Sequence, residues 1–257
     1  MIRIDRQYIT NERTRPALRK AKAALYSGIK PQWIVAHWTA NTNKGADAQA
    51  NRNYFNNGAP GPGGTFREAS AHYCVDDHAV IQCLPDTEVG FHIGGTSYTD
   101  LGKRMKPRPN LSPNYAGAIG FEMCVNSDGN WPATYAESAL LAATLLLKYG
   151  LPIQRLIRHY DVTRKDCPKM MVQNEAWEKF KVAVVNAWTQ LKLNGCVPAL
   201  VTADSLNVRN GITTDAKIAY VLDKWEIILT DMKPVAGSSW VAIGAGQFVN
   251  SKYLKVL

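Results

Sequence analysis

The run RHYDVTRKDCPK holds the densest set of side chains able to do chemistry, with His159 eight positions before Cys167. Imidazole nitrogen and thiolate sulfur are borderline and soft donors, a pairing that zinc selects. Two ligands do not make a site. A third candidate lies far upstream, where His37 interrupts the apolar run IVAHWT. A histidine in such a run is either a hydrogen-bonded core residue or a ligand. Joined to the other two, it would complete a set of two imidazoles and one thiolate with a fourth position left for water. That open position marks a catalytic rather than a structural zinc site.

Residues so far apart can meet only if regular elements carry them. QWIVAHWTA reads as a buried strand with His37 near its C-terminal end, and AIGFEMCVN as another. SAHYCVDD and HAVIQCLP read as two strands with Asp76-Asp77 at their turn. Helices are expected from Thr14 to Tyr26 after a short basic lead-in, from Asp47 to Asn56, from Pro132 to Tyr149, and from about Val172 to Leu191. In the third of these, Ala136, Ala139, Leu140, Ala143 and Leu147 form one apolar stripe. NGAPGPGG (57–64) and the polar, Pro-rich stretch 94–116 read as loops. Strands alternating with helices predict an α/β domain built on a central mixed sheet flanked by helices.

The pattern changes near residue 194. LNGCVPAL reads as a linker. Beyond it lie only short β-rich runs (SLNVR, IAYVL, WEIIL, SWVAI, QFVN and YLKVL) separated by turn residues. The expected division is a catalytic domain over 1–193, a linker over 194–199, and a small all-β barrel over 200–257. A unit of that size has a marginal core and suits binding better than catalysis.

The chain has 257 residues, 46% hydrophobic and 20% charged, which excludes global disorder. No apolar stretch approaches a transmembrane span. MIRIDRQYITNERTR has no apolar core and no small-residue cleavage site, so no classical signal peptide is expected there. Nearly all of the +9 formal charge falls before residue 196, because six basic and five acidic residues follow it. A basic domain suits a polyanionic setting: nucleic acid, a membrane surface or an anionic cell wall. Nucleic acid has only this net charge behind it. Five cysteines at irregular spacing make a poor disulfide framework, and Cys74, Cys83, Cys124 and Cys196 read as small buried hydrophobes.

Four motifs in order (IVAHWTA, SAHYCVDDHAVIQCLPDTEVGFHIGG, AIGFEMCVN and RHYDVTRKDCPK) make residues 30–190 resemble the zinc-dependent N-acetylmuramoyl-L-alanine amidases. The resemblance implies that His37, His159 and Cys167 hold one Zn2+ per chain and that Glu122 and Lys165 are catalytic residues beside it. Glu122 would move the proton from water to the leaving amine, and Lys165 would stabilise the oxyanion. His72 and His92 are placed near the pocket, as substrate contacts or as supports for the ligands. Trp33, Trp38, Tyr54 and Phe55 serve either as glycan-facing walls or as core. Residues 200–257 resemble bacterial SH3-like wall-binding domains through SLNVRNG, SWVAI and QFVNSKYLKVL. Asn210-Gly211-Ile212 and Phe248 depart from that pattern.

The whole then reads as a monomeric peptidoglycan hydrolase of the phage endolysin kind, binding wall polymer but no nucleic acid. It would be made in the host cytoplasm and reach the wall through a phage-encoded pore. A non-catalytic peptidoglycan-recognition protein and a thiol peptidase using Cys167 as nucleophile are the competing readings.

Overall fold

Alternating side chains in two apolar runs build the centre of the molecule. The computed structural model describes residues 1–20, 23–105 and 116–257. Its larger sheet contains β1 (Asp5–Arg6), β2 (Trp33–Trp38), β3 (Tyr73–Val75), β4 (Val80–Gln82), β5 (Ala118–Met123) and β6 (Leu156–Arg158). The strand order is β1-β4-β3-β5-β2-β6; β3 and β4 are antiparallel and all other neighbours parallel. Six α-helices accompany it among the described residues: α1 (Ala23–Tyr26), α2 (Ala48–Asn56), α3 (Asp100–Arg104), α4 (Trp131–Lys148), α5 (His159–Thr163) and α6 (Asn174–Leu193).

Successive strand residues face opposite sides. Ile34, Ala36, Ile119 and Phe121 turn to one face, where Leu141 and Leu145 of α4 and Phe180 and Val184 of α6 seal them. Burying a large apolar side chain is worth roughly 1.5–3 kcal/mol, so this face fixes the register. Val35, His37, Gly120 and Glu122 are thereby committed to the other face. His37 stands directly beside Glu122 across β2 and β5. Asp47 caps α2 through Ala50 N, and Asn130 caps α4 through Ala133 N, placing both starts where capping chemistry predicts.

The C-terminal part forms two small antiparallel sheets, β10-β7-β13 and β11-β12-β8-β9. Their strands are β7 (Val197–Val201), β8 (Ser205–Arg209), β9 (Ile218–Asp223), β10 (Ile227–Thr230), β11 (Trp240–Gly244), β12 (Gln247–Asn250) and β13 (Leu254–Val256). Val201, Val208, Leu222 and Val249 meet in its core.

Four expectations need correction. The helix over 14–26 reduces to a 3-10 turn at Pro16–Leu18 and the single turn α1, with residues 21 and 22 outside the described residues. The guanidinium groups of Arg15 and Arg19 reach away to Glu88 and Glu68, Leu18 is exposed, and the Thr14 hydroxyl donates to Phe55 O instead of capping a first turn. The supposed basic lead-in contributes β1 and the buried Ile2 and Ile9. The expected loop over 94–116 contains α3, capped by Thr99 through Gly102 N; residues 106–115, with Lys106 and Arg108, lie outside the described residues. The segment 194–199 is not wholly a linker, since β7 begins at Val197 and pairs with both β10 and β13.

The two parts are also joined more closely than the linker reading implies. Leu229 and Cys196 belong to the same apolar cluster as Ile2 and Leu145. Gln247 is buried, and its side chain accepts from Ile4 N (3.3 Å) and donates to Ile4 O (2.8 Å), as a strand neighbour would. Arg6 donates to both carboxylate oxygens of Glu226 at 3.1 and 2.8 Å and to Val221 O at 2.8 Å, with the Tyr220 ring 4.7 Å from its guanidinium carbon. A bidentate pair shielded this well is costly to break singly. Arg6→Met, Glu226→Gln and the double variant should give a coupling energy of about 1–3 kcal/mol in urea unfolding. A value near zero would mean that the pair contributes nothing to joining the two parts.

Candidate active site

Among the described residues, four buried side-chain polar atoms lack a hydrogen-bond partner: Thr39 Oγ1, Glu122 Oε2, Ser138 Oγ and His159 Nδ1. Three of them line one cleft of about 400 Å³. An unpaired buried polar atom costs free energy, so their convergence marks a place kept for something that binds. The same cleft contains His37, Cys167, Lys165 and His92. It opens beyond the C-terminal ends of parallel strands, the usual place for a site in an α/β sheet.

Each ligand candidate is brought in by a different device. His37 is the penultimate residue of β2. His159 follows β6 directly as the first residue of α5. Cys167 returns through a tight turn: α5 ends on Arg164 in the left-handed region (φ 63°), Cys167 N donates to Lys165 O (2.7 Å), and Tyr160 N donates to Cys167 O (2.8 Å). The turn is anchored by Arg158, which is buried. Its guanidinium donates to Asp161 Oδ1 (2.7 Å) and to the carbonyls of Met171 (3.0 Å) and Val172 (2.8 Å), while its own N–H donates to Asp161 Oδ2 (2.8 Å). The donor atoms of His37, His159 and Cys167 lie within 4.8 Å of one another. This set, two imidazoles and a thiol with one nitrogen left without a partner, can hold a metal ion.

The hydrogen bonds also settle which nitrogens face inward. His159 Nε2 lies 3.1 Å from Gly94 O and must donate there, leaving unpartnered Nδ1 as its lone-pair atom. His92 Nε2 donates to Ala118 O (3.1 Å), so His92 Nδ1 accepts from His37 Nε2, 3.0 Å away. His37 Nδ1 is then the free donor, 3.6 Å from Cys167 Sγ. Such outer hydrogen bonds fix both tautomer and ring orientation. His92 therefore supports His37 and lines the cleft. His72 stands behind it, with its ring 5.5 Å from that of His92. Its Nδ1 accepts from Gly120 N (3.1 Å) and its Nε2 donates to Glu88 O (3.0 Å), so it is placed as a support. Gly120 is required by close approach: a Cβ there would fall 2.5 Å from His92 Nδ1.

Burial governs the charges. It lowers His37 well below the ordinary histidine range and His159 to about 4, with the other imidazoles and Lys165 adding to the first and Lys165 to the second. Both are neutral at pH 7, as ligands must be. Burial pushes the Cys167 thiol up to about 12 and the Glu122 carboxyl up to about 8, Lys165 opposing both shifts. A thiol so reluctant to ionise is a poor free nucleophile. Lys165 is exposed and forms no ion pair among the described residues.

All five residues expected at the centre thus meet in one cleft. Trp38, Tyr54 and Phe55 line it as well, whereas Trp33 lies elsewhere, under Arg155. Thr39, Arg67, and the Arg158–Asp161 anchor went unnoticed in the sequence. Thr39 lies within IVAHWTA, and Arg158 and Asp161 within RHYDVTRKDCPK, motifs already marked for other residues; Arg67 carries no local signal.

Residues 27–170 match the family described as N-acetylmuramoyl-L-alanine amidase. A probable N-acetylmuramoyl-L-alanine amidase of Bacillus licheniformis is 38% identical over 180 residues, 68% of this chain and 44% of that protein. The chain spans about half the length of the curated relatives it matches. A mutant endolysin from Bacillus subtilis is 30% identical with a TM-score of 0.55, covering 72% of this chain and 99% of that structure. The catalytic domain of XlyA is 28% identical with a TM-score of 0.54, covering 71% and 99%.

Two outcomes follow from this geometry. His92→Ala should weaken divalent-metal affinity about 10- to 100-fold in competition with a chromophoric chelator, and His92→Gln, which restores an acceptor for His37 Nε2, should recover part of it. Equal losses would mean that the ring only fills space. For Glu122 the folded pKa lies above the ordinary 4.5. Its stabilising contribution is full below about pH 4.5 and is lost as pH rises through about 8. In metal-free protein, Glu122→Gln should therefore match the parent at pH 4 and melt higher by about 5 °C at pH 9. Parallel melting curves at both pH values would contradict the burial argument.

Proposed function

The chain belongs to the N-acetylmuramoyl-L-alanine amidase family, and we propose that it is a zinc-dependent hydrolase of bacterial peptidoglycan cutting the amide between N-acetylmuramic acid and L-alanine. The observation that carries this reading is the meeting of His37, His159 and Cys167 beside a half-buried Glu122 whose buried Oε2 has no hydrogen-bond partner. The donors suit zinc: two neutral imidazoles with their outer nitrogens already occupied, and one sulfur. When bound, zinc supplies Lewis-acid polarisation of a carbonyl, lowers the pKa of water towards 7, and by its charge favours the ionised form of Glu122.

The chain's own groups do the remainder. Glu122, carried beside His37 on the neighbouring strand, accepts a proton from the attacking water and delivers it to the departing nitrogen. Lys165, from the same turn as Cys167, places a free ammonium against the charge developing on the carbonyl oxygen. His92 keeps His37 in the ligating tautomer. Residues 200–257 we read as an SH3-like module that holds the enzyme on wall polymer, a reading supported by its two small antiparallel sheets and by the SLNVRNG and QFVN runs. A phage endolysin released to the wall through a separate pore fits the same set. No helix among the described residues is long and apolar enough to cross a membrane.

Mass spectrometry of purified wall after digestion tests the bond assignment: new products should end in free L-alanine amine and intact muramic acid. Chelation should abolish release and added zinc restore it. Cys167→Ser should lose metal and activity together, whereas Glu122→Ala and Lys165→Ala should keep the metal and lose on the order of 100-fold in turnover. Full activity in metal-free protein would sink the reading.

A further inference from the structure

The cleft does not end at the metal ligands. Tyr54, Phe55, Arg67, Glu68 and Ala69 line it as well. Arg67 closes a tight hairpin: Pro60 bridges Phe66, Gly61 N donates to Thr65 O (2.7 Å), and Arg67 N donates to Ala59 O (3.1 Å). The Arg67 side chain lies over Gly61, where a Cβ would come within 3.2 Å of its Nε. The guanidinium is therefore guided by the hairpin beneath it.

The charges along the cleft are unequal. Two acids line it: Glu122, half-buried beside His37, belongs to the reacting centre, and Glu68 Oε1 takes Arg19 Nη2 at 2.7 Å. The two cations, Arg67 and Lys165, form no ion pair among the described residues. Lys165 shares the turn of Cys167 and belongs to the reacting end. Arg67 stands at the other end with five N–H donors and no carboxylate partner. A guanidinium presented this way favours a planar anion that can accept two parallel hydrogen bonds.

The amidase reading, on which this inference rests, limits what that anion is. The glycan side of the scissile bond offers no anion, because the acid of each muramic unit is tied up in the amide itself. The peptide side offers free carboxylates. We propose that Arg67 is a specificity-determining residue that binds a stem-peptide carboxylate and so makes the enzyme prefer acidic over amidated stems.

The test uses zinc-loaded full-length protein and two soluble muramoyl peptides that differ only in whether their stem carboxylates are free or amidated. Both binding, by calorimetry, and cleavage are measured. The parent should favour the acidic peptide about three- to tenfold, chiefly in KM and Kd, since the site is open to water and the contact is partly screened. Arg67→Gln should lose that preference by raising KM for the acidic peptide alone, with kcat and zinc content unchanged; Arg67→Lys should keep part of it. A parent enzyme that cleaves both peptides equally well, or an Arg67→Gln variant that keeps the preference, overturns the proposal while leaving the amidase reading intact. Selective binding without cleavage of either peptide overturns the amidase reading and leaves the Arg67 contact standing.

Discussion

The hydrogen bond between His37 Nε2 and His92 Nδ1, 3.0 Å long and buried, is the contact on which the site depends. It decides which face of His37 is free to bind. His92 can accept it only because its own Nε2 is occupied by the Ala118 carbonyl, a group on the strand beside β2. The backbone of one strand thus sets the tautomer of a side chain on the next. The ring of His92 in turn sits where only a glycine at 120 leaves space, and Gly90 makes similar room against His72 and His92. A sheet register fixed by apolar packing on its far face therefore becomes a proton arrangement on its near face.

Desolvation shapes the remainder. Four imidazoles packed edge to face with ring centroids about 5 Å apart cannot all be charged, and burial keeps those of the centre neutral. The same burial discourages ionisation of Glu122 and Cys167. The floor of the cleft is thus short of charge, and its cations stand at the margins, on the Lys165 turn and the 59–69 hairpin.

What could be read from the sequence divides along a physical line. His37 was legible because a polar side chain in an apolar strand run is expensive and so conspicuous, His159 and Cys167 because they share one dense polar run, and Glu122 through the resemblance carried by AIGFEMCVN. The α4 and α6 helices and the six C-terminal strands from SLNVR to YLKVL were legible from local periodicity. The parts that were missed depend on partners distant in the chain. A two-residue strand such as β1 has no pattern of its own and exists because β4 accepts it. β7 looked like a linker because its residues, VPALV, are stabilised by β10 and β13, which come later. The Arg158–Asp161 anchor depends on the Met171 and Val172 carbonyls, which lie beyond the run that contains the pair. The helix expected over 14–26 failed in the opposite sense: Thr14 turns its hydroxyl to the Phe55 carbonyl instead of capping a first turn, and Arg15, which precedes the 3-10 turn, makes no side-chain cap.

The contact between Ile4 and Gln247 spans 243 residues, and it bears on how the molecule is made. During synthesis β1 is made before β4, which follows it within the next eighty residues. Its outer surface then stays bare until the segment that carries Gln247 has also emerged. Loop closure over such a distance is slow compared with local pairing, so the nascent protein carries an exposed sheet edge until that segment is made. Arg6 lies on that edge, and a charge on an unpaired strand discourages joining to other chains. The residue that later clasps Glu226 thus also guards the edge for as long as Glu226 has not been made.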